Sequence, residues 1–196
     1  AAEFGYRIKL LAVVRREGDE VEVRVHPTLV PLGHMLASVG NVFNAAMVRG
    51  DLSGDTLYYG RGAGREPTAS TVIGDIGDIA RNLMAGKSRY RRGVCLTNDG
   101  KLRVRAAGDI VSRYYVRLMV VDKAGSLGVI TTILGKHGVS ILAATQKAPP
   151  EELESAGYVP VVILTHAAKD AGIDAALSEI RTAGVLNKEP VKIRMI

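Results

Sequence analysis

Apolar and polar positions change their spacing several times along the chain, and each change marks an element. Tyr6 to Arg16 mixes apolar and basic residues in strand fashion. After the turn EGDE, Val21, Val23 and Val25 alternate strictly with Glu22, Arg24 and His26, which predicts a hairpin with one wet face. Pro27 and Pro31 are expected to break that pattern, because proline cannot donate to a sheet ladder. A second hairpin is predicted from Val42–Val48 and Thr56–Tyr59, around a turn rich in Gly and Asp at 50–55. Ala69, Val72, Ile73, Ile76, Ala80 and Leu83 then trace one helical stripe. Gly74 and Gly77 lie inside that helix at a cost of about 1 kcal/mol each relative to alanine. Their spacing predicts that another backbone approaches closely. The first half reads as antiparallel α+β, four strands and a helix.

The second half has a plainer pattern. Tyr114–Val121 is a strand; Leu127, Ile130, Ile133, Leu134 and His137 form a helical stripe that Gly138 ends. Strands follow at Val139–Ala144 and Val159–Thr165, separated by a polar loop containing PPEELES. Ile173, Ala176, Leu177 and Ile180 repeat at helical spacing, and Val191–Met195 is the last strand. The order β-α-β-β-α-β is the split ferredoxin-like unit. Ala85–Asp109 shows no sustained period and reads as a connector with a short strand at Leu102–Arg105. The expected domains are 1–88, a linker at 89–112, and 113–196.

Composition narrows the classes. With 47% hydrophobic and 23% charged residues in 196, the chain can build a packed core without staples. No apolar run approaches the ~18 residues of a membrane span, and no signal-peptide pattern opens the sequence. Cys95 is the single cysteine, which excludes an internal disulfide framework or a cysteine metal cluster and fits a reducing cytoplasm. The net charge of +6 is spread along the chain. Its dense cluster, RYRR at Arg89 to Arg92, reads as a solvated connector rather than a nucleic-acid surface. The opening AAEF followed by Gly5 reads like the last turn of a helix with its C-terminal glycine, as expected of a chain that has lost what came before.

Candidate chemistry concentrates in LYYGRGAGREPTAS, from Leu57 to Ser70. A strand feeds a glycine loop, then Pro67 and Thr68 at a helix start, where backbone amides and the helix dipole favour an anion. It is neither a Walker A loop, lacking Lys-Ser/Thr after the last glycine, nor the dinucleotide fingerprint. Nothing else in the chain would hold an adenine or ribose, so the loop is expected to complete a site built mainly elsewhere. The histidines read as structural: His26 and His34 flank a proline-rich loop without a third ligand, His137 ends a helix, and His166 closes a strand. Asp75 and Asp78 fall on the outer part of the helix.

The blocks GYRIKLLAVVRR, VRVHPTLVP, VFNAAMVRGD and YYGRGAGREPTASTVIGDIGDIAR closely resemble the C-terminal part of the catalytic region of homoserine dehydrogenase. VDKAGSLGVITTILGKHGVSI and VVILTH resemble the regulatory ACT domain that follows it in many bacterial members. The resemblance implies an oxidoreductase that interconverts homoserine and aspartate semialdehyde with NAD or NADP. It also implies that the Rossmann domain, which mainly binds the cofactor, and the catalytic Asp and Lys lie upstream of Ala1, so that no catalytic residue and no metal site is expected here and this chain alone is inactive. Gly62, Ala63 and Gly64 carry over as positions approaching the cofactor. A homodimer or higher homo-oligomer is implied, without nucleic acid or membrane. An amino-acid effector is expected in the second domain, threonine first because the resemblance suggests pathway feedback. At the strand-to-helix turn DKAGSL, Gly125 would let the backbone approach a ligand, and the amides near Ser126 and Leu127 would take a carboxylate. Asp122 would meet an ammonium group, and Gln146 would read a side-chain hydroxyl. Ala124 departs from the family, which usually has proline there. The alternative is a stand-alone amino-acid sensor whose first half serves assembly.

Overall fold

The structure, a computed structural model, describes residues 1–86, 102–146 and 157–196. The readings of Arg89–Arg92, Cys95 and the PPEELES loop lie outside these residues. In chain order the elements are β1 (Tyr6–Glu17), β2 (Glu20–Pro31), α1 (Met35–Ser38), β3 (Phe43–Gly50), β4 (Gly54–Arg61), α2 (Arg65–Met84), β5 (Arg103–Val104), β6 (Val111–Val121), α3 (Ser126–Lys136), β7 (Ile141–Gln146), β8 (Tyr158–Thr165), β9 (Ala168–Lys169), α4 (Asp170–Thr182) and β10 (Val191–Met195). Among the described residues no helix is long and apolar enough to cross a membrane.

Contacts gather the chain into two units, 1–31 with 100–196 and 32–99. This differs from the expected division at 88 and 112, because the first hairpin joins the sheet of the second half. In that sheet the order is β1-β2-β10-β6-β8-β7. Its last four strands are the ferredoxin-like arrangement, with α3 and α4 on one face. The even positions of β6 (Tyr114, Val116, Leu118, Val120) and the odd positions of β8 (Val159, Val161, Ile163) meet Ile130, Leu134, Ile173 and Ile180 there. Each fully buried Leu, Ile or Val contributes about 1.5–3 kcal/mol, so this core carries the unit.

β10 runs parallel to β2, pairing Arg194 with Thr28 and Met195 with Leu29. Contrary to the expectation from sequence, β2 continues through Pro27 to Pro31. Peptide direction explains why. Ile196 N donates to Leu29 O at 3.2 Å and Arg105 N to Val21 O at 2.9 Å, so odd-numbered peptide groups of β2 face away from β1. Pro27 and Pro31 share that parity, and their missing N–H groups cost the β1–β2 ladder nothing.

The hairpin's open face is also the reverse of what alternation alone suggests. Leu10, Val14, Val23 and Val25 are exposed, while Glu22 and Thr28 on the other face are buried and Arg24 is largely so. The polar face is covered because it finds ionic partners, described below.

The second unit holds α1, the β3–β4 hairpin and α2. Phe43 stacks on Tyr59 with ring centroids 4.9 Å apart. The predicted helical stripe exists, but α2 buries none of its residues: Val72, Ile73, Ile76, Ile79 and Leu83 are all exposed. No backbone approaches the helix glycines among the described residues. Space beside Gly74 is open, and Gly77 meets only the Arg81 side chain.

Candidate functional site

The larger candidate site opens at the β6–α3 turn. β6 ends at Val121, and Gly125 turns the chain into α3 with φ 92°, a left-handed value that favours glycine. The cleft beside this turn measures about 270 Å³, lined by Asp122, Gly125, Ser126, Leu127 and Gln146 together with Lys123, Ala124 and the valines 120, 121, 159 and 161. All five residues singled out from sequence for an effector therefore meet at one cleft. Val120, Val159 and Val161 are buried and make its floor apolar, while the turn supplies the polar rim.

The turn differs in detail from the sequence reading. Ser126 N–H donates to Lys123 O at 3.1 Å, so it is already used in the turn. Val129 N–H closes the first helical turn onto Gly125 O, also at 3.1 Å. Of the first-turn residues that line the cleft, Leu127 is the one whose N–H is left to face a carboxylate, the type of group that a helix start leaves without an internal acceptor. Gly125 is required by its backbone angle; a Cβ there would meet open space.

A separate candidate lies in the second unit. β4 runs to Arg61, and Gly64 precedes α2 with φ 134° and ψ 153°, a conformation that is essentially glycine's alone. Helix α2 begins at Arg65, so Pro67 stands in the first turn, where its missing N–H costs no helical bond. Thr68 N–H closes that turn onto Gly64 O at 3.2 Å. Gly62 donates to Val42 O at 3.0 Å, and the Asn44 amide occupies the place a Cβ at Gly62 would need. Gly62 is thus a glycine because of Asn44. A ligand's approach is left to the backbone from Ala63 to the start of α2.

The remaining candidates have local roles. His34 Nδ1 accepts from Leu36 N at 3.2 Å and caps α1. His137 Nε2 lies 2.7 Å from Glu179, which also takes Lys136. His166 N donates to Ser140 O. Asp78 pairs with Arg81 at 2.9 Å. No metal-holding group of three acidic, Cys or His residues occurs among the described residues.

Sequence reasoning missed one cluster. Asp170, at the start of α4, is buried and accepts from Tyr114 Oη at 3.0 Å, Lys192 Nζ at 3.0 Å and Arg194 at 2.5 Å. Burial pushes the Asp170 carboxyl up, but hydrogen bonds from Lys192 and Tyr114 and the Lys192 and Arg194 charges outweigh it and hold the pKa low. Burial, then the neighbouring Asp170 charge, raises the Tyr114 phenol. The available signal was the i,i+2 pair of Lys192 and Arg194 on one face of an otherwise apolar strand.

The four-stranded ferredoxin-like sheet carries an open cleft at its first strand-to-helix turn, and residues 114–182 match the family model of the ACT domain. Residues 1–76 match that of homoserine dehydrogenase. Over its whole length the chain is similar to homoserine dehydrogenases. It is 40% identical to the one from Neisseria gonorrhoeae and 37% to the one from Pseudomonas aeruginosa, covering 100% of this chain and 44% and 45% of those proteins. The chain thus spans less than half the length of the curated relatives it matches. Among solved structures, the homoserine dehydrogenase from Thiobacillus denitrificans superposes with TM-score 0.83 at 35% identity, over 100% of this chain and 43% of that one. The S. aureus enzyme, at 23% identity and TM-score 0.58, shares the fold.

Proposed function

We propose that this chain is the C-terminal portion of a homoserine dehydrogenase, an NAD(P)-dependent oxidoreductase acting on homoserine and aspartate semialdehyde, with an ACT domain that reads a small amino acid. The observation that carries the regulatory part is the convergence of Asp122, Gly125, Ser126, Leu127 and Gln146 on one cleft at the β6–α3 turn. Its apolar floor and polar rim suit a ligand with ammonium and carboxylate groups and a short side chain. Threonine is the first choice. The Asp122 carboxylate would hold the ammonium, Leu127 N–H the carboxylate, and Gln146 the hydroxyl.

The glycine loop fits a polar group of the nicotinamide cofactor on one side only. No side chain caps α2, so the amides of its first residues, with those of Ala63 and Gly64, are the donors that would meet it, whereas Asn44 closes the Gly62 side. The bound cofactor supplies hydride acceptance; the loop's part is to orient it, and the rest of its site is expected outside this chain. Cofactor preference between NAD and NADP would be set there as well. The exposed apolar faces of the first hairpin and of α2, each in its own unit, favour a homodimer or higher homo-oligomer.

The test compares the 196-residue chain with the longer protein encoded around it, following NAD(P)H formation from homoserine. Activity is expected only from the longer protein. Turnover by the isolated chain overturns the division of roles, and inactivity of the longer protein favours the stand-alone amino-acid sensor.

A further inference from the structure

β2 and β10 pair side by side only at Thr28 and Leu29. One residue earlier, Pro27 turns its donor-less nitrogen towards β10, so the next ladder bond that an N–H there would make to β10 is missing. They part, and a cleft of about 180 Å³ opens between them, lined by His26, Pro27, Lys192, Ile193 and Arg194.

The cleft is short of acceptors. Of its lining residues, His26 Nε2 and Arg194 Nε are buried with no hydrogen-bond partner among the described residues, and the same holds for Arg24 Nε on the neighbouring stretch of β2. The nearby carboxylates are already engaged. Asp170 Oδ1 takes Tyr114 and Lys192, and Oδ2 takes Arg194. Asp174 takes Lys192, and Glu22 pairs with Arg24. The Lys192 ammonium has three donors and two acceptors set against it.

The charges facing His26 come from Arg24 on its own strand, Lys192 and Arg194 on β10, and Asp170 on α4. Burial lowers the Arg24 and His26 pKa values, and the Arg194 charge presses both down further, with the opposing Asp170 charge ranking last for each. The field at the fork is therefore positive.

We propose that the fork between β2 and β10 is a binding site for a small oxyanion, held by His26, Arg194 and Lys192 with the Arg24 charge beside it. Binding there takes up a proton. His26 Nδ1 lies 3.0 Å from both Pro27 O and Thr28 Oγ1; with the Thr28 hydroxyl donating to His26 O at 3.3 Å, the neutral ring gives its Nδ1 proton to Pro27 O, which can only accept, and Nε2 is left bare. An anion beside Nε2 favours the doubly protonated ring and raises its pKa. Affinity then strengthens as pH falls into the ordinary histidine range and weakens above it. Phosphate and carboxylate share this chemistry, since each offers several acceptor oxygens to forked N–H donors.

The test titrates the 196-residue chain with inorganic phosphate and, separately, with acetate, against chloride at matched ionic strength. Its readouts are the His26 ring resonances and the Thr28 and Ile193 amides. Saturable shifts are expected, tighter at about pH 6 than at about pH 8. Preference for phosphate assigns a tetrahedral oxyanion, and preference for acetate assigns a carboxylate. His26→Gln, which leaves the Asp170 cluster intact, is expected to weaken binding and to remove its pH dependence. Arg24→Gln weakens it at both pH values. The proposal is overturned if neither anion acts beyond chloride, or if both variants respond as the parent does.

Discussion

Replacing Asp170 with alanine strips three groups of their shared acceptor at once. Arg194, 17% exposed, loses the carboxylate 2.5 Å away, and the buried Tyr114 hydroxyl loses its acceptor. Lys192 keeps Asp174 at 2.6 Å and is only partly affected. Breaking a buried pair from one side costs about 3–5 kcal/mol. The lower end applies here, because Lys192 stays paired and Arg194 retains some access to water. The expected loss is therefore about 3 kcal/mol, or a Tm drop of roughly 10 °C for a chain of this size. Urea unfolding of the parent and Asp170→Ala proteins measures it, with Asp170→Asn falling between them. The pH dependence follows from the lowered carboxyl. Its contribution is fully present above the unfolded value of about 3.9 and is lost as pH falls through the folded one, so the two proteins converge in acid. A loss below about 1 kcal/mol, the scale of an exposed ion pair, would refute the reasoning.

Two further outcomes are expected. Gly62→Ala forces a Cβ into the Asn44 amide, so in the longer protein it is expected to raise the KM for NAD(P) more than that for homoserine, with Asn44→Ala relieving much of the effect; equal changes in both would count against the loop's role. Light scattering of the isolated chain is expected to give a dimer or larger assembly, given the exposed Leu10, Val14, Val23 and Val25, and a monomer at high micromolar concentration would contradict this.

The elements were legible where periodicity and packing agree. β6, α3, β8 and α4 each present one apolar face, and that face is the one buried in the core. Legibility failed where a partner decides the outcome. The Pro27 break was misplaced because proline's cost depends on which edge its nitrogen faces, and only the β2–β10 pairing reveals that. Gly74 and Gly77 suggested a close backbone, yet no backbone within the described residues approaches them, and Gly77 meets only the Arg81 side chain. The cleft residues were readable because Asp122 to Leu127 are contiguous; Gln146 came from its place at the end of the next strand. The Asp170 cluster joins three elements and leaves only the Lys192–Arg194 alternation as a local trace. The engagement of Ser126 N–H by Lys123 O was likewise invisible, since turn hydrogen bonds depend on φ and ψ.

Calorimetry of the 196-residue chain with L-threonine tests the central claim most directly, with isoleucine, methionine and lysine as competitors and Gly125→Val as the control. The β-branched side chain cannot easily adopt the φ of 92° found at Gly125, so the turn is expected to distort while the distant core stays folded. Saturable threonine binding in the parent, lost in Gly125→Val with the far-ultraviolet circular dichroism unchanged, is the predicted result. Failure of all four amino acids to bind below millimolar concentration would contradict it and leave the second domain as an assembly element.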